Sequence, residues 1–149
     1  MADLTITVTD SVTLNGTNRG STNSQITASV VDVVERIVTC AHSQETTIAV
    51  FATSNHTSPS AIDVEDTAYA RVTNLSSTDA VYLGIVGTAT NYQVKLRPGA
   101  SHIMFNGEEV FVAEADTSPA FASFEDLASF VIKPLGATDC QVELFVGLV

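Results

Sequence analysis

Apolar and polar residues alternate from the start of the chain. In Leu4-Thr5-Ile6-Thr7-Val8-Thr9 the apolar side chains fall on one face of a strand and the threonines on the other. On the same ground residues 46–51, 68–74, 80–86, 91–97, 101–105, 109–113, 128–133 and 141–149 read as strands. Residues 80–86 are strongly apolar and read as central, while in 91–97 Tyr92, Val94 and Leu96 share one face and polar residues the other. Pro98-Gly99 suits a type II turn, Asn106-Gly107 is a strong hairpin signal, and Pro134-Leu135-Gly136 splits the last two strands. Residues 54–66 read as a loop, residues 121–127 as a single helical turn, and the polar stretch 15–25 as a loop or arm.

Residues 30–41 fit two periods. Val30, Val33, Val34, Ile37, Val38 and Ala41 recur at helical spacing, yet 36–41 also alternates. Valine and isoleucine lose side-chain freedom in a helix, which tips the reading to strand. Valine and threonine number 19 each, an enrichment that favours strands throughout. Short strands with turn signals every 8–12 residues or so predict an all-β chain. The expected architecture is an antiparallel, jelly-roll-like β-sandwich over residues 26–149, preceded by an N-terminal strand or arm over 1–25.

Charge narrows the function. Seventeen acidic residues against six basic ones give a formal charge of -11. A nucleic-acid binder needs a basic stripe to neutralise phosphates, and three Lys or Arg in each half of the chain do not supply one. An anionic membrane surface is disfavoured for the same reason. No apolar run reaches the roughly 18–20 residues of a membrane span, and the opening residues lack the basic region of a signal peptide. Cys40 and Cys140 are too few for a disulfide scaffold and read as reduced and buried. The sequons at Asn15, Asn55 and Asn74 then read as chance products of a Ser- and Thr-rich chain, in keeping with a reducing cytoplasm.

Catalytic chemistry finds little footing. His42, His56 and His102 lack metal-ligand spacing, and His102 reads as a surface or rim residue. Asp63-Val64-Glu65-Asp66 is oxygen-rich but matches no calcium loop, so it reads as a solvated acidic turn, as do Glu108-Glu109 and Glu114 with Asp116. Carboxylate pairs are unspecific in so acidic a chain, and neither a nucleophile elbow nor a phosphate loop is present. The expectation is a non-enzymatic protein without cofactor or metal. A charge-poor chain has few lysines with which to blunt sheet edges, so the edges are expected to be covered by other subunits. Leu4, Ile6 and Val8 are the candidate interface, on a terminal strand read as donated to a neighbour.

A resemblance adds to this. Tyr69-Ala70-Arg71-Val72-Thr73-Asn74-Leu75 precedes the apolar strand at 81–86. Tyr92-Gln93-Val94-Lys95-Leu96-Arg97-Pro98-Gly99-Ala100-Ser101 and a closing Val142-Glu143-Leu144-Phe145-Val146 follow. Over roughly residues 67–149 the succession resembles small virion structural proteins of tailed bacteriophages. The resemblance implies a capsid decoration (cement) protein, or a neck or tail subunit, assembled in the host cytoplasm. It also implies a homo-oligomer, a trimer being favoured, with the major capsid protein or other virion proteins as partners. Acidity would repel packaged DNA and so favours the outer face of the shell. The alternative from another class is a jelly-roll carbohydrate-binding module of fibre or lectin type, for which Tyr69, Tyr82 and Tyr92 are the only tyrosines and tryptophan is absent.

Overall fold

A computed structural model describes residues 2–54, 57–115 and 117–149, so His56, the sequon at Asn55 and Asp116 lie outside the described residues. Within them the protein is all-β, without helix. Its strands are β1 (Ala2–Thr9), β2 (Val12–Leu14), β3 (Thr17–Arg19), β4 (Thr22–Val30), β5 (Asp32–Cys40), β6 (Thr46–Ala52) and β7 (Ile62–Asp63). They continue with β8 (Thr67–Asn74), β9 (Val81–Val86), β10 (Asn91–Leu96), β11 (Ser101–Met104), β12 (Ser129–Pro134) and β13 (Cys140–Leu148).

Four antiparallel pairings nest inside one another. β5 pairs with β13, β6 with β12, β8 with β11 and β9 with β10. Two further antiparallel pairings, β13 with β8 and β12 with β9, join these ribbons into sheets ordered β11-β8-β13-β5 and β10-β9-β12-β6-β7. Only the two-residue β7 runs parallel to its neighbour, β6. Alternation sets which side of each strand is apolar. Leu83, Ile85, Phe130 and Ile132 from one sheet and Val72, Val142, Leu144 and Val146 from the other belong to a single hydrophobic cluster. Each such side chain contributes roughly 1.5–3 kcal/mol on burial. Residues 30–41 settle as strand because β13 offers nine consecutive partners, Cys140↔Cys40 to Leu148↔Asp32.

Asn74 is the one fully buried side-chain amide among the described residues. Its Nδ2 reaches the carbonyls of Asp79 (2.8 Å), Leu96 (3.2 Å) and Arg97 (3.2 Å), and its Oδ1 accepts the Ser76 N–H at 3.0 Å. Its own N–H donates to Ala100 and its carbonyl accepts from Gly99. The turn at Arg97-Pro98-Gly99-Ala100 is closed by Ala100 N–H donating to Arg97 at 2.9 Å, with Gly99 at φ 75°. That positive φ is what a type II turn asks of its third residue.

Several expectations are corrected. Residues 15–25 are not a loop: they carry β3 and the start of β4, and Asn15-Gly16, with φ 51° and 76°, makes the tight turn between β2 and β3. Asn106-Gly107 makes no hairpin, and 109–113 contribute only a single bridge, Phe111↔Glu125. Gly107 instead lies so close to Val64 and Thr67 that a side chain would not fit, and its backbone bonds to Thr67 and Leu127. Residues 121–127 hold no helical turn, since Glu125 spends its backbone on Phe111 and Val110. His102 turns inward rather than to the rim. Its half-buried ring packs edge-on against Tyr92, whose hydroxyl lies 3.3 Å from Nε2. Cys40 and Cys140 face each other across the β5–β13 ladder as free, buried thiols, and burial pushes both pKa values up.

Two outcomes follow for stability. Asn74→Ala strands several buried carbonyls and one N–H, and is expected to cost about 2–4 kcal/mol in denaturant unfolding. Burial holds His102 below its ordinary value of 6.5. The unfolded chain then takes up a proton where the folded protein does not, so this contribution is complete above 6.5 and is lost as pH falls below it. Thermal melts should show Tm dropping between about pH 7.5 and 5.5, and His102→Gln should shrink that drop. An unchanged drop in the variant would assign it to other groups.

Candidate interaction surface

Residues 2–30 form one long antiparallel ribbon. β1 pairs with β4 from Ala2↔Val30 to Thr9↔Thr22, and β2 with β3 from Val12↔Arg19 to Leu14↔Thr17. The joint between the two halves is a kink at Asp10-Ser11 and Gly20-Ser21, where Asp10 N–H donates to Ser21 at 2.9 Å. Gly20 sits at φ 139° directly against the Asp10 carbonyl, leaving no space for a side chain. Hydroxyl pairs line one face, Thr7 with Ser24 at 3.0 Å and Thr9 with Thr22 at 3.2 Å. Such cross-strand pairs contribute roughly 0.2–1 kcal/mol each.

The base of the ribbon lies on the outer face of the β11-β8-β13-β5 sheet. Leu4, Ile6 and Val8 border a groove of about 310 Å³ with Tyr69, Arg71, Ile103 and Phe145. The contact depends on a glycine: a side chain at Gly147 would meet the Leu4 Cδ2 at 2.9 Å. Tyr69 is buried although it points outward, its ring packed edge-on against Phe105 and Phe145. Arg71 pairs with Glu143 and lies over the Phe145 ring.

The three sequence-predicted interface residues therefore divide. Ile6 is buried and Leu4 half-buried against the protein's own sheet, outside the central core cluster. Val8 is 43% exposed; Val12 and Leu14 beyond it are each more than half exposed, and so is Ile26, which pairs with Thr5 in the base of the ribbon. Of the apolar positions free to meet a partner, Val12 and Leu14 thus lie towards the tip and Ile26 in the base. Sequence reading missed Val12, Leu14 and Ile26 because 15–25 looked like loop. The Asn15-Gly16 pair was the signal that the chain doubles back there.

The remaining candidates are dispersed. Hydrogen bonding from the Ser54 side chain and then from its N–H holds the Glu65 carboxylate below the usual range, and the Asp66 carbonyl accepts from Val149. His42 pairs with Asp139 at 2.8 Å on the surface. Glu125 accepts N–H bonds from Ala89 and Thr90, which lower its pKa and pin the β9–β10 turn. Among the described residues no three His, Cys, Asp or Glu side chains converge as a metal site. Tyr69 and Tyr92 are turned into packed regions, and Tyr82 alone of the tyrosines is substantially exposed.

No protein-family description, curated protein or solved structure matches this chain.

Filling the space above Gly147 tests the seat of the ribbon. Gly147→Val should displace Leu4 and raise amide exchange across residues 2–9, while the core strands β9 and β12 keep their protection. Loss of protection throughout would mean that ribbon and body unfold as one unit.

Proposed function

We propose that this protein is a non-enzymatic virion structural subunit of the capsid-decoration type, with a jelly-roll body and a ribbon arm that grips a neighbouring subunit. The nested pairing supports the body. Counting β5, β6, β8, β9, β10, β11, β12 and β13 as eight strands, first pairs with last, second with seventh, third with sixth and fourth with fifth. A long hairpin rolled on itself produces that order, and the resulting two-sheet roll is a frequent architecture of viral shells.

The observation that carries the reading is the set of exposed apolar side chains along the ribbon. An isolated two-stranded ribbon is at best marginally stable in water, yet this one exposes Val12, Leu14 and Ile26 and pairs with no third strand among the described residues. A surface so arranged gains stability when a partner covers it. Charge favours the same part of the chain. Residues 2–30 hold only Asp3, Asp10 and Arg19, whereas the body carries nearly all of the negative charge. Like-charged bodies repel, and a nearly neutral arm can bridge them. The partners are then further copies, a trimer being the favoured state, and the major capsid protein or another virion protein. The acidic body favours the outside of the shell over the lumen.

The experiment changes the tip and leaves the seat alone. A Val12→Asp, Leu14→Asp protein should keep its melting temperature within a few degrees. Its occupancy on purified particles, counted by mass spectrometry, should fall at least about tenfold, since burying even one such side chain is worth about 1.5–3 kcal/mol. Undiminished occupancy would remove the arm from the contact, and absence of the wild-type protein from particles would end the virion reading.

A further inference from the structure

The outer face of the five-stranded sheet is unlike the rest of the surface. Register places Tyr82 of β9 directly between Lys95 of β10 and Lys133 of β12. One step along, Gly84 stands between Gln93 and Val131 and leaves a hollow in the middle of the face. A side chain would fit there, since its Cβ would lie 3.6 Å from the Val131 carbonyl, so the gap is not forced by packing. The result is an open groove of about 210 Å³ bordered by Tyr82, Asn91, Gln93 and Lys133. Glu45 is the acid on this groove, and it is tied to Lys133 at 3.1 Å. With Lys95, Lys133 and Glu45 set aside, acids outnumber bases sixteen to four in the remaining chain. Lys133 on the groove and Lys95 beside it face this single acid, so the patch escapes the negative charge of the rest of the protein and admits anionic partners.

We propose that this groove binds an acidic polysaccharide, with one sugar ring seated over Gly84 and stacked on Tyr82. The weakly positive C–H bonds of a sugar's apolar face suit the negative face of the phenol ring, which is 39% exposed. Asn91 and Gln93 carry both donors and acceptors for ring hydroxyls. Lys95 and Lys133 meet carboxylate or sulfate groups on either side, as compact charges without demand for a fixed geometry. A flat or folded protein partner would have little use for a one-ring hollow, whereas a chain of sugar rings laid across the strands fills it. The site is independent of the ribbon and of the virion reading: it lies on the other sheet.

Titration of the full-length protein with uronate oligosaccharides, with neutral maltohexaose as control, tests it by calorimetry and chemical-shift mapping. Saturable binding of the uronate is expected, weakened by added salt because the lysines are solvent-screened. Tyr82→Ala should weaken it by roughly tenfold or more, and Gly84→Val should do the same by filling the hollow while leaving Tm unchanged. Glu45→Gln frees Lys133 and should tighten binding, a gain that a merely structural role would not give. Absence of saturable uronate binding, equal binding of maltohexaose, or indifference to Tyr82→Ala would each overturn the proposal. So would conversion of an oligomer to monomer by Lys95→Glu without any uronate binding, which would make the face a subunit interface.

Discussion

The amide of Asn74 ties together the parts that the remaining pairings take for granted. Strand β8 ends at this residue, the chain then crosses to β9 in the other sheet, and the β10–β11 connection passes alongside. The crossings leave carbonyls outside the strands at Asp79 and Arg97, and the Asn74 NH₂ group reaches both, together with that of Leu96 at the end of β10. Buried carbonyls must find donors somewhere, so the position calls for an amide in place of an apolar residue of similar size. Asp79 in turn donates its N–H to the Ser76 hydroxyl oxygen in the same loop at 2.9 Å and, through its side chain, accepts the Thr138 hydroxyl from the β12–β13 connection. Three inter-sheet crossings therefore meet at one end of the body.

That clamp also gives a physical reason for the two motifs that make the sequence look familiar. Arg71-Val72-Thr73-Asn74-Leu75 and Leu96-Arg97-Pro98-Gly99-Ala100-Ser101 lie more than twenty residues apart, yet they are in direct contact. Asn74 bonds Leu96, Arg97, Gly99 and Ala100, and the Thr73 and Ser101 hydroxyls lie 2.7 Å apart. The motifs therefore report how one connection is braced and say nothing by themselves of a reaction or ligand. The step from them to a virion protein is a matter of resemblance, whereas the step from them to this end of the body is a matter of hydrogen bonds.

Legibility in the sequence follows the same division between regular and irregular backbone. Where a strand has a buried face, as in β9, β10, β12 and β13, period-two alternation gave its position within a residue or two, because a slip would turn every apolar side chain to water. The ribbon was opaque for the opposite reason. In β4, Thr22–Val30, only Ile26 and the terminal Val30 are large and apolar, so the strand has a regular backbone but almost no pattern. Asn-Gly pairs misled in one place and were overlooked in another, since the dipeptide makes a hairpin only where both flanks can pair. At 15–16 they pair; at 106–107 the glycine is used for close approach to Val64 and Thr67. The groove around Tyr82 was equally hidden, because Lys95 and Lys133 come together only through the β10–β9–β12 register.

Edges bring the argument back to composition. β7 has two residues and β11 four, and β10 presents Asn91, Gln93 and Lys95, so each is short or polar. β5 is different: nine residues long, with Val33 and Ile37 exposed on its outer face and Asp32, Glu35 and Arg36 as its charges. It also follows the ribbon almost without interruption, through Val31, the most exposed valine of the chain. Among the described residues, seven of the fifteen exposed large apolar side chains fall within residues 2–40, about a quarter of the chain. Scattered singly they would need no explanation, but their run along one continuous length of backbone does. An unpaired edge of that length invites a strand from another molecule unless something guards it. On the assembly reading, the arm and the edge beside it form one contact surface, and its small net charge, with Arg19 and Arg36 offsetting part of the acids, is what allows a second acidic subunit to approach.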